Sequence, residues 1–488
     1  MNLTEKLAGI VGKANVLTSP KVLNRYVKDN SLVKPGACTC VVRPKTPEET
    51  AAVVQLANKM KFAIVPQTSG VHFHGGAVPK AGGVILDCSR MNRITDIVPE
   101  SNTANIQVGV TWGQLQKALE IKGFMSVIPL LPPASRSAII DSLEYEPPAI
   151  HSHEFAGPLR SLQMVWGNGE LFVSGSAGVD NFRAPGVLSD GVLASGPGPM
   201  SWDTFLYGAQ GTIGVVTWAV TYIEDLPVMS KAFFIPAPSI EKAVEPMYKL
   251  IRRGIGYECF LVNNVTLATI LAEKWPGDFS KLKVSLPAWT VVLVCRALKR
   301  HPEEKLAYEE EALREIMAQY FTNLDSLTAL PGAGGLERKL PEMLRKPWPE
   351  NRTYWKHAPK GACQELMFMT TMEKAGSFMA PVKEIANRFG YAASDMGVYI
   401  QPVEDGRACQ VDFMFYYNPA DEQEKDRIRE MYLEAASAVL KQGAYFNRPY
   451  PLVASTVYAK YGNYAELLKR FKKHYDPNGI LNPGNLCF

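Results

Sequence analysis

Apolar and polar positions change period along the chain, and the changes outline its elements. Cys38 to Pro44 is a short apolar run that reads as a strand. Thr46-Pro47-Glu48-Glu49 then opens a helix: Thr46 caps it, Pro47 suits its first turn and Glu49 completes a capping box. Val53, Leu56, Ala57 and Met60 follow at helical spacing, which buries one face. Two further apolar runs, Phe62 to Val65 and Gly83 to Asp87, read as strands on either side of a glycine-rich connection. Ile106 to Val110 is another strand, and Thr111 caps a helix that stops at Gly123. Leu162 to Trp166 and Leu171 to Ser174 flank Asn168-Gly169, a strong hairpin signal. Asn181 to Pro199 is a Gly/Pro-rich excursion, a surface loop or a lid. After it, Gly208 to Thr217 brings three glycines into a strand that continues to Ile223, and glycine within a strand marks close approach by a ligand or another backbone.

Near Pro227 the pattern shifts, which sets a domain boundary there. Strands at Ala232 to Ile235, around Glu258 to Val262 and at Trp289 to Cys295 alternate with a helix opened by Ser239 and a long acidic helix from His301 to Tyr320. Pro341 to Pro359 is irregular. A helix from Phe378 to Phe389, paired strands near Ser394 to Gln401 and Cys409 to Tyr416, and a helix from Asn418-Pro419 to about Gln442 complete this half. The pattern predicts an α+β unit with helices on one face of an antiparallel sheet. After a loop from Gly443 to Pro451, a helix from Tyr464 to His474 leads into Asp476-Pro-Asn-Gly-Ile-Leu-Asn-Pro-Gly-Asn485. Two Pro/Gly turns in succession suit a tail that docks back on the first domain.

The 488 residues suffice for two or three cores, and 52 basic against 48 acidic side chains give no basis for a nucleic-acid or anionic-membrane partner. No apolar run approaches the ~20 residues of a membrane span, so a cytoplasmic protein acting on a small molecule is expected. The eight cysteines are scattered, which fits reduced thiols. The pairs His72/His74 and His151/His153 lack an evident third ligand, and no metal is expected.

The stretch richest in chemistry is Pro66-Gln67-Thr68-Ser69-Gly70-Val71-His72-Phe73-His74-Gly75-Gly76-Ala77. Its three glycines permit tight turns that aim several N–H groups at one point, a cup for a diphosphate. It lacks the Gly-Lys-Ser/Thr of a Walker loop, and no helix opens from it as the dinucleotide fingerprint requires. Leu130 to Ser142, rich in turn formers, is a second candidate binding loop.

This loop, its continuation Gly75-Gly-Ala-Val-Pro79 to Ile94, the Asn168-Gly-Glu hairpin, Gly211-Thr-Ile-Gly-Val-Val-Thr217 and the tail Asp476 to Gly484 together resemble the flavoproteins related to vanillyl-alcohol oxidase and p-cresol methylhydroxylase. The resemblance implies a two-subdomain FAD-binding domain of the p-cresol methylhydroxylase type over residues 1–227. A cap with a large antiparallel sheet would span 228–453, and 454–488 would rejoin the FAD domain. FAD would lie with its diphosphate on Pro66 to Ala77, with further contacts from Ser135, Ser137, Asp141, Ser142, Ile213, Gly214, Val215 and Asn482. His72 or His74 is where a covalent flavin link would form. A homo-oligomer such as a dimer is expected, and the electron acceptor stays open between oxygen, a quinone and a partner protein, a cytochrome or an electron-transfer flavoprotein.

The resemblance also places catalytic candidates. Arg448 matches an arginine that phenol-oxidising members carry, although Asn447 stands where they have a tyrosine. A guanidinium there would hold an anionic substrate group and stabilise charge on reduced flavin. Glu154 falls where relatives carry a carboxylate beside the ring, a candidate base, with His153 (and His151), Tyr445 and Tyr450 as competing proton-handling groups. The expected function is FAD-dependent hydride removal from a small alcohol or phenol-type substrate. A D-2-hydroxy-acid dehydrogenase is the alternative, weakened because no histidine lies between His357 and His474, and a flavin electron carrier without substrate chemistry is a second.

Overall fold

In the computed structural model, which describes residues 2–68, 70–153, 157–178, 191–196, 198, 200–321, 326–330 and 332–488, the chain forms three sheets. Ser69, Glu154 and most of the Asn181 to Pro199 excursion lie outside the described residues. Strands β1 (Val16–Leu17), β2 (Cys40–Val42), β3 (Ile64–Gln67) and β4 (Val84–Asp87) make the first sheet, in the order β1-β2-β4-β3 with β2 and β3 parallel to β4. The helix Pro47–Met60 connects β2 to β3. Thr46 Oγ1 accepts the Glu49 N–H as expected, but the capping box is only half made: Glu49 Oε2 accepts from the Lys45 N–H at 2.6 Å.

Strands β5 (Ile94–Val98), β6 (Thr103–Gln107), β7 (Phe124–Ser126), β8 (Leu159–Trp166), β9 (Leu171–Val173) and β10 (Gly214–Asp225) form a second sheet, antiparallel throughout, in the order β5-β6-β10-β8-β9 with β7 also on β10. The Asn168-Gly169 hairpin joins β8 to β9, with Gly169 at φ +89°. Strand β10 starts at Gly214, later than the glycine pattern suggests. Residues 208–213 instead make turns in which Gly211, at φ +67°, lies so close to Pro66 that a Cβ would sit 3.2 Å from its ring.

Strands β11 (Met229–Ala237), β12 (Glu258–Asn263), β13 (Trp289–Ala297), β14 (Ala362–Thr370), β15 (Gly397–Val403) and β16 (Ala408–Tyr417) form the third sheet, in the antiparallel order β11-β13-β12-β15-β16-β14. One face, including Leu366, Phe368, Val398, Ile400, Val411 and Phe413, packs with the helices Ile240–Arg252, Pro302–Tyr320, Met379–Arg388 and Glu422–Lys441. The other face, including Cys363, Tyr399, Met414 and Tyr416, shares a core with Leu130, Leu131 and Ala149 from the earlier part of the chain. Strand β14 is absent from the sequence-based reading. It is buried on both faces nearly end to end, so it carries no alternation to betray it.

The tail returns to the first sheet. Ile64 N–H donates to Ile480 O and Asn482 N–H to Ile64 O, at 2.7 and 2.8 Å, so residues 480–482 line the free edge of β3. Lys472, at the end of the helix Gly462–Tyr475, donates to Thr212 O, Leu481 O and Asp476 Oδ2, while Asp476 accepts the Ile480 and Leu481 N–H groups. Among the described residues no helix is long and apolar enough to cross a membrane.

Candidate active site

Two cavities lie along the glycine-rich loop and the Leu130–Glu146 segment, the first against the start of β10 and the second against the third sheet. The first is a cleft with about 740 Å³ of open space, a size that suits a cofactor. Its walls include Pro66, Gln67, Thr68, His72, Gly76, Ala77, Gly214 and Val215, eight of the residues expected to bind FAD. The polar groups here fit such a ligand. Thr68 Oγ1, His72 Nε2 and Gln210 Oε1 are buried without a hydrogen-bond partner, and all three residues line the cleft. Burial lowers the pKa of His72, so its ring is neutral and able to accept or donate.

Other expected contacts are placed differently. The Gly75 N–H is not free for a diphosphate, because it donates to Asp29 Oδ2 at 2.7 Å, and the Gly70 N–H is turned onto Thr68 O. The cup of amides is therefore narrower than the glycine count implies. Ser137 caps the helix Ala138–Leu143 and donates to Val108 O, Ser142 donates to Ala138 O, and Ile213 sits in the apolar core; none of the three lines the cleft. Val71 and Ser135 line a more external hollow, with Phe73. Asn482 Nδ2 donates to Gly76 O and Gln210 O at 2.8 and 2.7 Å, so the tail braces two walls of the cleft.

The second cavity, with about 490 Å³ of open space, lies between Phe73, His74, the Pro129–Pro147 segment and the third sheet. Phe73, Tyr354, Trp355 and Tyr399 give it aromatic walls, and Arg136, Asp141, Glu146, Lys356, Glu365, Gln410 and Asp412 give it a charged end. Glu365 is on β14 and Gln410 and Asp412 are on β16, the strands paired in the register Met367↔Asp412 and Met369↔Gln410. Lys356 pairs with Glu365, and Gln410 Nε2 donates to both oxygens of Asp412 at 2.9 and 3.1 Å. Arg136 pairs with Asp141 at 2.5 Å and Glu144 at 2.6 Å, and Tyr450 donates to Glu144 at 3.1 Å while its ring lies 4.5 Å from that of His74. Glu144 lines the first cleft and Arg136 the second cavity, so their ion pair joins the linings of the two.

Burial acts on three carboxyls here, Asp412, Asp141 and Glu146, and the neighbours decide the outcome. It raises Asp412 to about 8, reinforced by Glu365 against the pull of Lys356 and Arg448. It also raises Asp141, to about 6, against Arg136. In Glu146 the penalty of burial is outweighed by Arg448, His74 and Lys356, which hold the group well below the usual carboxylate range. The site thus sets an ionised carboxylate beside one that keeps its proton at neutral pH.

Arg448 is buried beside this chamber but does not line it. Its Nη atoms serve Glu144 O, Gln410 Oε1 and the Glu146 carboxylate, which leaves only Nε without a partner. The expected grip on a substrate anion is therefore replaced, in this arrangement, by a grip on the protein's own groups. Tyr450 is at the site, but Tyr445 is not: it is 53% exposed and packs against Tyr461. His153 lines neither cavity; burial lowers it to about 4, and its carbonyl accepts the Glu404 N–H. His151 likewise faces Asp405. Sequence reasoning missed Glu144, Glu146, Lys356, Glu365, Gln410 and Asp412. The available signal was a charge set in an apolar run, as Asp412 is in Cys409 to Tyr417.

Residues 38–140 match a family model described as FAD binding domain, and residues 456–486 match one described as FAD linked oxidases, C-terminal domain. An uncharacterized FAD-linked oxidoreductase of Mycobacterium tuberculosis is 21% identical over 99% of this chain and 98% of its own length. The 4-cresol dehydrogenase flavoprotein subunit of Pseudomonas putida is 25% identical over 55% of this chain and 51% of its own, and the D-2-hydroxyglutarate dehydrogenase of Stutzerimonas stutzeri 27% over 67% and 69%. Among solved structures, p-cresol methylhydroxylase with substrate bound superposes with a TM-score of 0.84 at 18% identity, covering 99% of this chain and 96% of that one. The 4-ethylphenol oxidase of Gulosibacter chungangensis gives 0.80 at 18%, covering 99% and 95%. Models of an FAD binding domain and of the FAD linked oxidases' C-terminal domain thus match two stretches of this chain, which is an FAD-dependent oxidoreductase with the fold of p-cresol methylhydroxylase.

Proposed function

We propose that this oxidoreductase removes a hydride from a small alcohol or phenol-type substrate held in the aromatic chamber. The observation that carries the reading is the chamber itself: aromatic walls close on one end where a buried lysine, a proton-bearing carboxyl and an ionised carboxylate converge. Bound FAD supplies the hydride acceptor. The substrate ring packs between Phe73, Tyr354 and Tyr399, and its hydroxyl lies toward Lys356 and Asp412. The ionised fraction of Asp412, which grows as pH rises toward about 8, accepts the hydroxyl proton, and Lys356 favours the oxyanion as that proton leaves. Arg448 serves as a positioning residue that keeps Glu146 and Gln410 in place. Glu154 lies outside the described residues and stays a candidate base.

A 2-hydroxy acid brings a carboxylate that needs its own cation. Arg136, Lys356 and Arg448 are each already matched by a carboxylate, which favours the phenol or alcohol. The test is anaerobic mixing of the FAD-loaded protein with a panel of phenols, aryl alcohols and 2-hydroxy acids, following loss of the visible flavin band. Bleaching by the aromatic compounds is the expected result. Bleaching by the hydroxy acids alone would move the assignment to that class, and bleaching only by a partner protein would make the chain a carrier.

A further inference from the structure

Outside the chamber lies a further hollow with about 710 Å³ of open space, rimmed by the exposed residues Asn30, Pro349 and Glu350. It shares three residues with the chamber: Phe73, Pro133 and Tyr354. Arg136, Asp141, Glu365, Gln410 and Asp412 at the polar end of the chamber are buried, whereas Phe73 and Tyr354 are half-buried and stand between the two spaces. Their rings are stacked, with centroids 5.6 Å apart and planes 29° apart. Phe73 comes from the loop after β3 and carries the Arg136 guanidinium 4.8 Å from its centroid. Tyr354 comes from the irregular segment before β14, and its edge contacts are His357, 5.3 Å away, and Trp355, 6.0 Å away. Its hydroxyl makes no hydrogen bond among the described residues, so side-chain rotation breaks ring contacts and packing against the neighbouring apolar core but no hydrogen bond.

We infer that the Phe73–Tyr354 pair is the passage from the outer hollow to the chamber, and that it limits entry to flat molecules that can slip past a displaced ring. The inference rests on the proposed function for the identity of what enters, but the passage exists or fails on its own. Since a stacked aromatic pair shifts a two-state balance by roughly two- to tenfold, its loss should change access on that scale.

The passage can be read in the FAD-loaded protein by quenching of flavin fluorescence with acrylamide, a neutral probe that needs no turnover. Tyr354→Ala should raise the quenching constant by roughly two- to tenfold, while Tyr354→Phe, which keeps the ring pair, should match wild type. In the same proteins, the bimolecular rate of anaerobic flavin reduction by 2-naphthylmethanol should gain more from Tyr354→Ala than the rate with benzyl alcohol. Should Tyr354→Ala fail to retain FAD, Phe73→Leu carries the same expectation, because it keeps bulk and removes the stack. Unchanged quenching in the Ala or Leu variant overturns the passage. Raised quenching with no reduction by either alcohol upholds the passage and removes the substrate reading instead.

Discussion

Arg448 Nη1 lies 3.2 Å from Glu146 Oε1, joining residues 302 positions apart with side chains only 2% and 15% exposed. The same guanidinium donates to Glu144 O and to Gln410 Oε1 on β16. One side chain thus ties the segment that lines both cavities to the third sheet. Arg448→Ala leaves Glu146 without its principal counter-charge and should cost about 3–5 kcal/mol in denaturant or thermal unfolding. Arg448→Met combined with Glu146→Gln should recover most of that loss, since no charge is then stranded. A loss under about 1 kcal/mol in the single variant would mean that the pair is not held as described.

Asp412 gives a pH signature. Its carboxyl titrates near 8 in the folded chain against an ordinary 3.8, so the folded state binds the extra proton between those values. The stability it contributes is fully present below about 3.8 and is lost as pH rises toward about 8. Asp412→Asn removes this loss. The difference in melting temperature between variant and wild type should grow in favour of the variant across that window and then level off. In turnover, the same substitution should abolish the rise of kcat/KM through the alkaline end of the window. A parallel pair of melting curves over the whole range would exclude a raised Asp412.

Asn482 links the tail to the cofactor cleft through two hydrogen bonds, to Gly76 O and Gln210 O. Asn482→Ala removes both, at roughly 0.5–1.5 kcal/mol each, and the loss should fall on the cleft walls. We expect weaker FAD retention, on the order of tenfold in Kd, measured as the flavin-to-protein ratio after gel filtration. Equal retention would show that the tail does not brace the cleft.

Gly76 lines the same cleft with room for a side-chain atom: a Cβ would lie 3.6 Å from Gln210 and 3.7 Å from Tyr450, ordinary contacts. Gly76→Ala should therefore leave the melting temperature of the flavin-free protein unchanged while its methyl group narrows the cleft, weakening FAD binding by about tenfold, or 1.4 kcal/mol. Tight FAD binding by this variant would move the cofactor away from Gly76.

Local chemistry made parts of this protein legible in the sequence. Asn168-Gly169 specifies its hairpin because a two-residue turn needs positive φ, and Thr111 specifies a helix start because its hydroxyl meets an orphan N–H. The glycine loop and the Asp476 turn are signals of the same short range, and they led to the cleft beside that loop and to the docked tail. The chamber was not legible. Glu365, Asp412, Lys356 and Glu146 become neighbours only when β14 pairs with β16 and the Leu130–Glu146 segment packs beneath that sheet. Strand β14 hides its role because both faces are buried, so its pattern has no period. Turns and caps are decided by contacts a few residues long, whereas the protonation of Asp412 and the partner of Arg448 depend on which distant charges share one dry space, and only the tertiary structure decides that.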